Sequence, residues 1–96
     1  MMLLFKTFQH SLNNVLIVRR VYGHSMEPTY QNGRLVIASG LLNVTEGKIV
    51  VARHGSREII KRVSLIRGDT VKLKGDNSSP HHNTVIQASQ IRGVVI

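Results

Sequence analysis

From Val15 to Ile96 the chain alternates short runs of Val, Ile and Leu with glycine-bearing turn signals, and that rhythm constrains its fold more than any other feature. Asn32-Gly33, Ser39-Gly40, Glu46-Gly47, His54-Gly55-Ser56-Arg57 and Arg67-Gly68-Asp69 each interrupt an apolar stretch. Runs this short suit strands, and turns of this composition join them. The expected strands are Val15 to Tyr22, Arg34 to Ala38, Lys48 to Arg53, Glu58 to Leu65, Thr70 to Lys74 and Ile91 to Ile96. The third and fourth form a hairpin across the turn at Gly55. In Thr70-Val71-Lys72-Leu73-Lys74 the strict apolar and polar alternation marks a half-exposed strand, and the Arg-Gly-Asp triplet before it reads as a turn. Gly75 through Pro80 reads as a loop. Ninety-six residues hold one core, and a hydrophobic content of 42% with only 4% aromatic makes that core Val, Ile and Leu. The expected class is a mainly β domain.

The first residues differ. Met1, Phe5, Phe8 and Leu12 recur at a spacing close to a helical turn, with Lys6, Gln9 and His10 between them, so a short amphipathic N-terminal helix is expected. The chain accordingly divides into an amphipathic segment, 1–14, and a domain, 15–96. The longest uninterrupted apolar run, Met1 to Phe5, is far below the ~20 residues that span a bilayer. No basic stretch precedes it and no small-residue cleavage site follows it, so neither a transmembrane helix nor a signal peptide is expected. The expected location is cytoplasmic or peripherally membrane-associated.

A net charge of +8 suits an anionic membrane surface or an acidic partner. Nucleic acid is a poor fit: the cations are scattered, and only Tyr22 and Tyr30 flank Arg19-Arg20 as stacking residues. The chain has no cysteine, which removes disulfides, a thiol nucleophile and thiolate metal ligands. His81 and His82 are adjacent, without the spacing that puts two ligands on one helix face, so no metal or other cofactor is expected. Glu27 and Glu46 have no evident carboxylate partner, which argues against glycosidase chemistry.

Ser25 is the candidate nucleophile. It lies between Gly23 and Pro28, on a bend where a hydroxyl is presented instead of buried. Its candidate base is Lys61. In Glu58 through Leu65, alternation puts Ile59, Lys61, Val63 and Leu65 on one face, leaving Lys61 as the one charge among aliphatic neighbours. Such a lysine either snorkels its ammonium to water or, desolvated, loses its proton near neutrality and serves a serine as general base. Both readings stand on pattern alone. His24 adjoins Ser25, but neighbouring side chains in extended chain point apart, which disfavours it as the base.

Ser25-Met26-Glu27-Pro28-Thr29 resembles the nucleophile box of type I signal peptidases and their small relatives, commonly written S-M-x-P-T. Lys61-Arg62-Val63, followed by Gly68-Asp69 and Val71, resembles that family's lysine box, and Gly75-Asp76-Asn77 its G-D-N box. By length and lack of an anchor the chain looks most like the small proteases of the type that matures nickel superoxide dismutase. The resemblance implies a small signal peptidase-like β-rich catalytic core. It also implies a serine endopeptidase with a Ser25–Lys61 dyad, acting on the leader or signal-like peptide of a precursor protein. Gly23 stands where some members carry a serine that donates to the oxyanion, so main-chain donors at the bend take that role. Met26 is expected to pack beneath Ser25, and Asp76 and Asn77 to brace the wall around the dyad. The family's later D-S-R triplet, which helps orient the lysine, is replaced by Ser79 through Val85, where Asn83 and Thr84 supply hydrogen bonds but no Asp-Arg pair. A catalytically weak or inactive peptide-binding module on the same fold is the alternative.

Overall fold

The computed structural model describes residues 15–78 and 82–96, so the expected helix at Met1–Leu12 lies outside the described residues. Seven strands form one antiparallel sheet: β1 (Leu16–Arg20), β2 (Leu35–Ser39), β3 (Ile49–His54), β4 (Arg57–Arg67), β5 (Thr70–Lys74), β6 (Thr84–Gln87) and β7 (Ile91–Val95). Their order across the sheet is β1-β2-β7-β3-β4-β5-β6. The mainly β class expected from the turn rhythm is what the chain adopts. Where the sequence shows alternating apolar runs the strands fall within a residue or two of expectation. His54 pairs with Arg57, and Arg67 with Thr70, so Gly55-Ser56 and Gly68-Asp69 are two-residue hairpin loops.

β3 holds the centre. Its first four residues, Ile49 through Ala52, are all buried, as expected of a strand covered on both faces. Val50 and Ala52 join Val63, Val71, Leu73, Ile86 and Val94 in the main cluster, with Val44, Ile59, Ile66 and Ile91 packed against it. All of these are aliphatic, in keeping with a composition poor in aromatic residues.

Two expectations need correction. Thr84–Gln87 is a strand, β6, paired with β5, and is missing from the expected strands. Thr84-Val85-Ile86 carries the β-branched signal, but Pro80-His81-His82 just before it masks the start. Leu65 does not share the face of Ile59, Lys61 and Val63. Val63 pairs with Leu73 and Leu65 with Lys72, so Ser64 is the extra residue of a β-bulge. The bulge shifts the alternation by one, leaving Leu65 exposed and Ile66 packed on the core.

Besides the outer edge of β6, at the far end of the sheet, pairing leaves open two strand edges that bear on the site. β1 is terminal in the sheet and pairs only with β2. β4 pairs with β5 only from Arg62 onward, so among the described residues Arg57–Lys61 has a partner on the β3 side alone.

Candidate active site

The bend that carries Ser25 is a loop pinched at its base. Val21 donates to the Arg34 carbonyl at 2.8 Å and Gly33 to the Val21 carbonyl at 2.7 Å, so the chain leaves β1 and returns to β2 through one neck. Inside the loop, the Gly23 amide donates to Asn32 Oδ1 at 2.8 Å, and Gly23 has φ +84°, a conformation that side-chain-bearing residues rarely adopt. The Glu27–Pro28 peptide bond is cis. Met26 is buried at 1% exposure and anchors the bend, its carbonyl accepting from the Tyr30 amide. His24 turns outward, its Nδ1 3.0 Å from Glu27 Oε2, away from any exchange with the serine hydroxyl.

Lys61 Nζ lies 2.6 Å from Ser25 Oγ. The two side chains, 36 residues apart, come together because the bend after β1 folds over the open edge of β4. Burial holds the Lys61 amine below the ordinary lysine value of 10.5, and among the described residues no carboxylate pairs with it to offset that effect. The Ser25 main-chain amide donates to no other group among the described residues.

Behind the pair, residues 75–77 form a clamp. Gly75 passes so close to the bend that a Cβ there would stand 2.6 Å from the Ser25 carbonyl oxygen and 3.0 Å from Ser25 Cβ. Asn77 donates its amide to the Ser25 carbonyl at 2.7 Å and its side chain to the His24 carbonyl at 3.2 Å. Asp76 takes a two-pronged contact from Arg62, Nε to Oδ1 at 2.7 Å and Nη2 to Oδ2 at 2.8 Å, and also accepts from the Thr29 hydroxyl. Arg62 further donates to the Gly47 carbonyl. The residue next to Lys61 is thereby tied to the loop that carries Ser25. The Asp76–Arg62 ion pair joins the lysine box to the G-D-N box and is distinct from the pair that the D-S-R triplet would supply. Arg62, Thr29 and Gly75 had no role assigned from sequence, although all three lie inside the matched boxes.

Arg62 holds the Asp76 carboxyl below its usual 3.8, with the Thr29 hydroxyl adding to the effect. A carboxyl with a lowered folded value contributes stability that is whole above the unfolded value and is lost as pH falls through the folded one. Thermal unfolding is therefore expected to show a loss of stability below about pH 4 that is smaller in Asp76→Asn. An acid dependence identical in the two proteins would contradict this role.

A groove of about 800 Å³ runs from the Ser25–Lys61 pair between the open edges of β1 and β4. Val18 through Tyr22 line one side and His54 with Arg57 through Ile60 the other, while His82 and Thr84 also contribute. Among the described residues no group of three or more His, Cys, Asp or Glu is arranged to hold a metal ion.

A family model described as Peptidase S24-like matches residues 2–96. The chain belongs to the Peptidase S24-like family. Within it, this member is 39% identical over 59 residues to signal peptidase I of Streptococcus pneumoniae serotype 4 (strain ATCC BAA-334 / TIGR4), and equally so to signal peptidase I of S. pneumoniae strain ATCC BAA-255 / R6. The matched stretch covers 59% of this chain and 29% of each relative. The chain is thus a signal peptidase-like member of a peptidase family, spanning less than a third of the length of the relatives it matches.

Proposed function

We propose that this chain is a serine endopeptidase that removes a leader or signal-like peptide from a precursor protein. The reading rests on one observation above all: a desolvated lysine amine 2.6 Å from a serine hydroxyl on a pinched bend, with no carboxylate paired to it among the described residues. In its neutral form Lys61 takes the proton of Ser25 Oγ as that oxygen attacks the peptide carbonyl. The Ser25 amide, which donates to no other group among the described residues, donates to the developing oxyanion. Collapse breaks the carbon–nitrogen bond, and the proton on Lys61 passes to the leaving amine. Lys61 then deprotonates a water, which hydrolyses the Ser25 ester and returns the serine. The open edges of β1 and β4 suit an extended peptide added as a strand between them.

Purified protein incubated with precursor peptides is expected to cut them, and Ser25→Ala and Lys61→Ala proteins to leave them whole. Cleavage surviving both changes would sink the dyad. Tight peptide binding without cleavage by the unaltered protein would favour the binding module on the same fold.

Peripheral membrane contact accompanies this reading. Val18 and Ile37 pair across β1 and β2 with outward side chains 56% and 49% exposed, and Leu16 and Leu35 extend the same face. Arg20, opposite Leu35, adds a cation at its border. An exposed apolar face bordered by positive charge suits an anionic bilayer. The protein is expected to sediment with phosphatidylglycerol vesicles and to be released by Val18→Ser with Ile37→Ser; sedimentation unchanged by that pair would refute the face. Among the described residues no helix is long and apolar enough to cross a membrane.

A further inference from the structure

The far end of the groove is crossed by an ion pair. Arg19, on β1, brings Nε to 2.5 Å from Glu58 Oε1, on β4, so the two open strand edges are bridged through their side chains. Glu58 precedes Lys61 by three residues, which along a strand is about 10 Å from the dyad. The bridge therefore stands beside the stretch of an added substrate strand about three residues from the cut bond. We propose that this end of the groove is a subsite for an acidic substrate side chain, held by Arg19, while Arg92, outside the groove lining, shares its Glu58 partner. The proposal rests on the peptidase reading for its substrate and names a preference within it.

The charge balance carries the argument. Arg92 Nη1 reaches the other oxygen of Glu58 at 3.5 Å, and Arg53 stands opposite Glu58 in the β3–β4 register. One carboxylate thus faces three guanidiniums. Arg20 and Arg57 line the same groove, and Glu58 is its only lining carboxylate among the described residues. Of the other four acidic residues, none of which lines the groove, Glu27 pairs with His24, Asp76 with Arg62 and Glu46 accepts from the Ile66 amide, while Asp69 lies in the β4–β5 turn. Arg19 spends three of its five N–H donors, Nε and Nη2 on Glu58 and Nη1 on the Val18 carbonyl, which leaves two for a second carboxylate, and the Arg92 contact to Glu58 is a long 3.5 Å. A guanidinium fork binds a carboxylate through paired, charge-assisted hydrogen bonds, and a lysine entering the same place meets only like charge. Arg19, Glu58 and Arg92 keep 37%, 26% and 44% of their side chains exposed, so an entering group reaches them without opening the core.

Binding measured apart from cleavage tests this. Labelled alanine-serine peptides carrying Glu, Gln or Lys at one position, moved along the chain, are titrated into Ser25→Ala protein. Glu at one position is expected to bind about tenfold tighter than Gln there, and Lys more weakly than either. The preference is expected to vanish with Arg19→Gln and to grow with Glu58→Gln, which frees the Arg19 guanidinium while keeping a side chain of the same shape. Equal binding of Glu and Gln peptides at every position, a preference unmoved by these substitutions, or no binding of any peptide would overturn the subsite. Failure of the unaltered protein to cleave any of the peptides that bind would instead count against the peptidase reading alone.

Discussion

Ser25→Ala is expected to lower kcat by at least ~10³-fold, Lys61→Ala to do the same, and the double substitution to cost no more than either alone. The non-additivity is the informative part. If Ser25 Oγ attacks only as its proton moves to Lys61 Nζ, removing either atom removes the whole step, and nothing remains for the second change to take away. The 2.6 Å separation supports that coupling. Independent roles, with Lys61 merely binding substrate, would make the two losses multiply. The folded state is expected to respond in the opposite direction at the lysine. Because burial disfavours the Lys61 ammonium, the unfolded chain holds that proton more tightly, so this group costs stability at neutral pH and its cost fades as pH rises towards 10.5. Lys61→Met, which keeps the aliphatic stem, is accordingly expected to melt higher than the unaltered protein while cutting nothing.

Gly75→Ala is the second large effect, and it comes from a residue that does no chemistry. The added methyl would stand 2.5 Å from Ser78 Oγ, 2.6 Å from the Ser25 carbonyl oxygen and 3.0 Å from Ser25 Cβ. Ser78 can rotate away; the backbone of the nucleophile cannot. The bend must shift, with loss of the Asn77 amide bond to the Ser25 carbonyl. A displacement of about 1 Å between reacting groups costs on the order of 10²-fold in rate, and overpacking of this kind about 1–3 kcal/mol in stability. Cleavage within threefold of the unaltered protein would mean that the clamp does not fix Ser25. Asn77→Ala, which removes a side-chain bond to the His24 carbonyl but leaves the amide in place, is expected to cost far less.

The strands were legible because glycine turns and short aliphatic runs act locally. What escaped was set by pairing. The bulge at Ser64 changes the phase of β4 after Val63, and no alternation within that segment announces it, since its cause is the register against β5. β6 went unread because a proline and two histidines precede four residues whose partner strand supplies the ordering. At the site, Ser25, Lys61, Asp76 and Asn77 could be named from matched boxes, yet the way the last two act could not. Asp76 works through Arg62 and Thr29, and Asn77 through main-chain atoms of Ser25. Those are contacts between segments. Arg19 and Glu58, 39 residues apart, gave no sign in the sequence that the fold brings their side chains together across the groove.

The pH dependence of kcat/KM tests the dyad most directly. The account predicts a rate that rises with pH as one group deprotonates, with a midpoint below 10.5 because burial destabilises the Lys61 ammonium, and loss of that rise in Lys61→Ala. A rise that persists in Lys61→Ala and disappears in His24→Ala would contradict it.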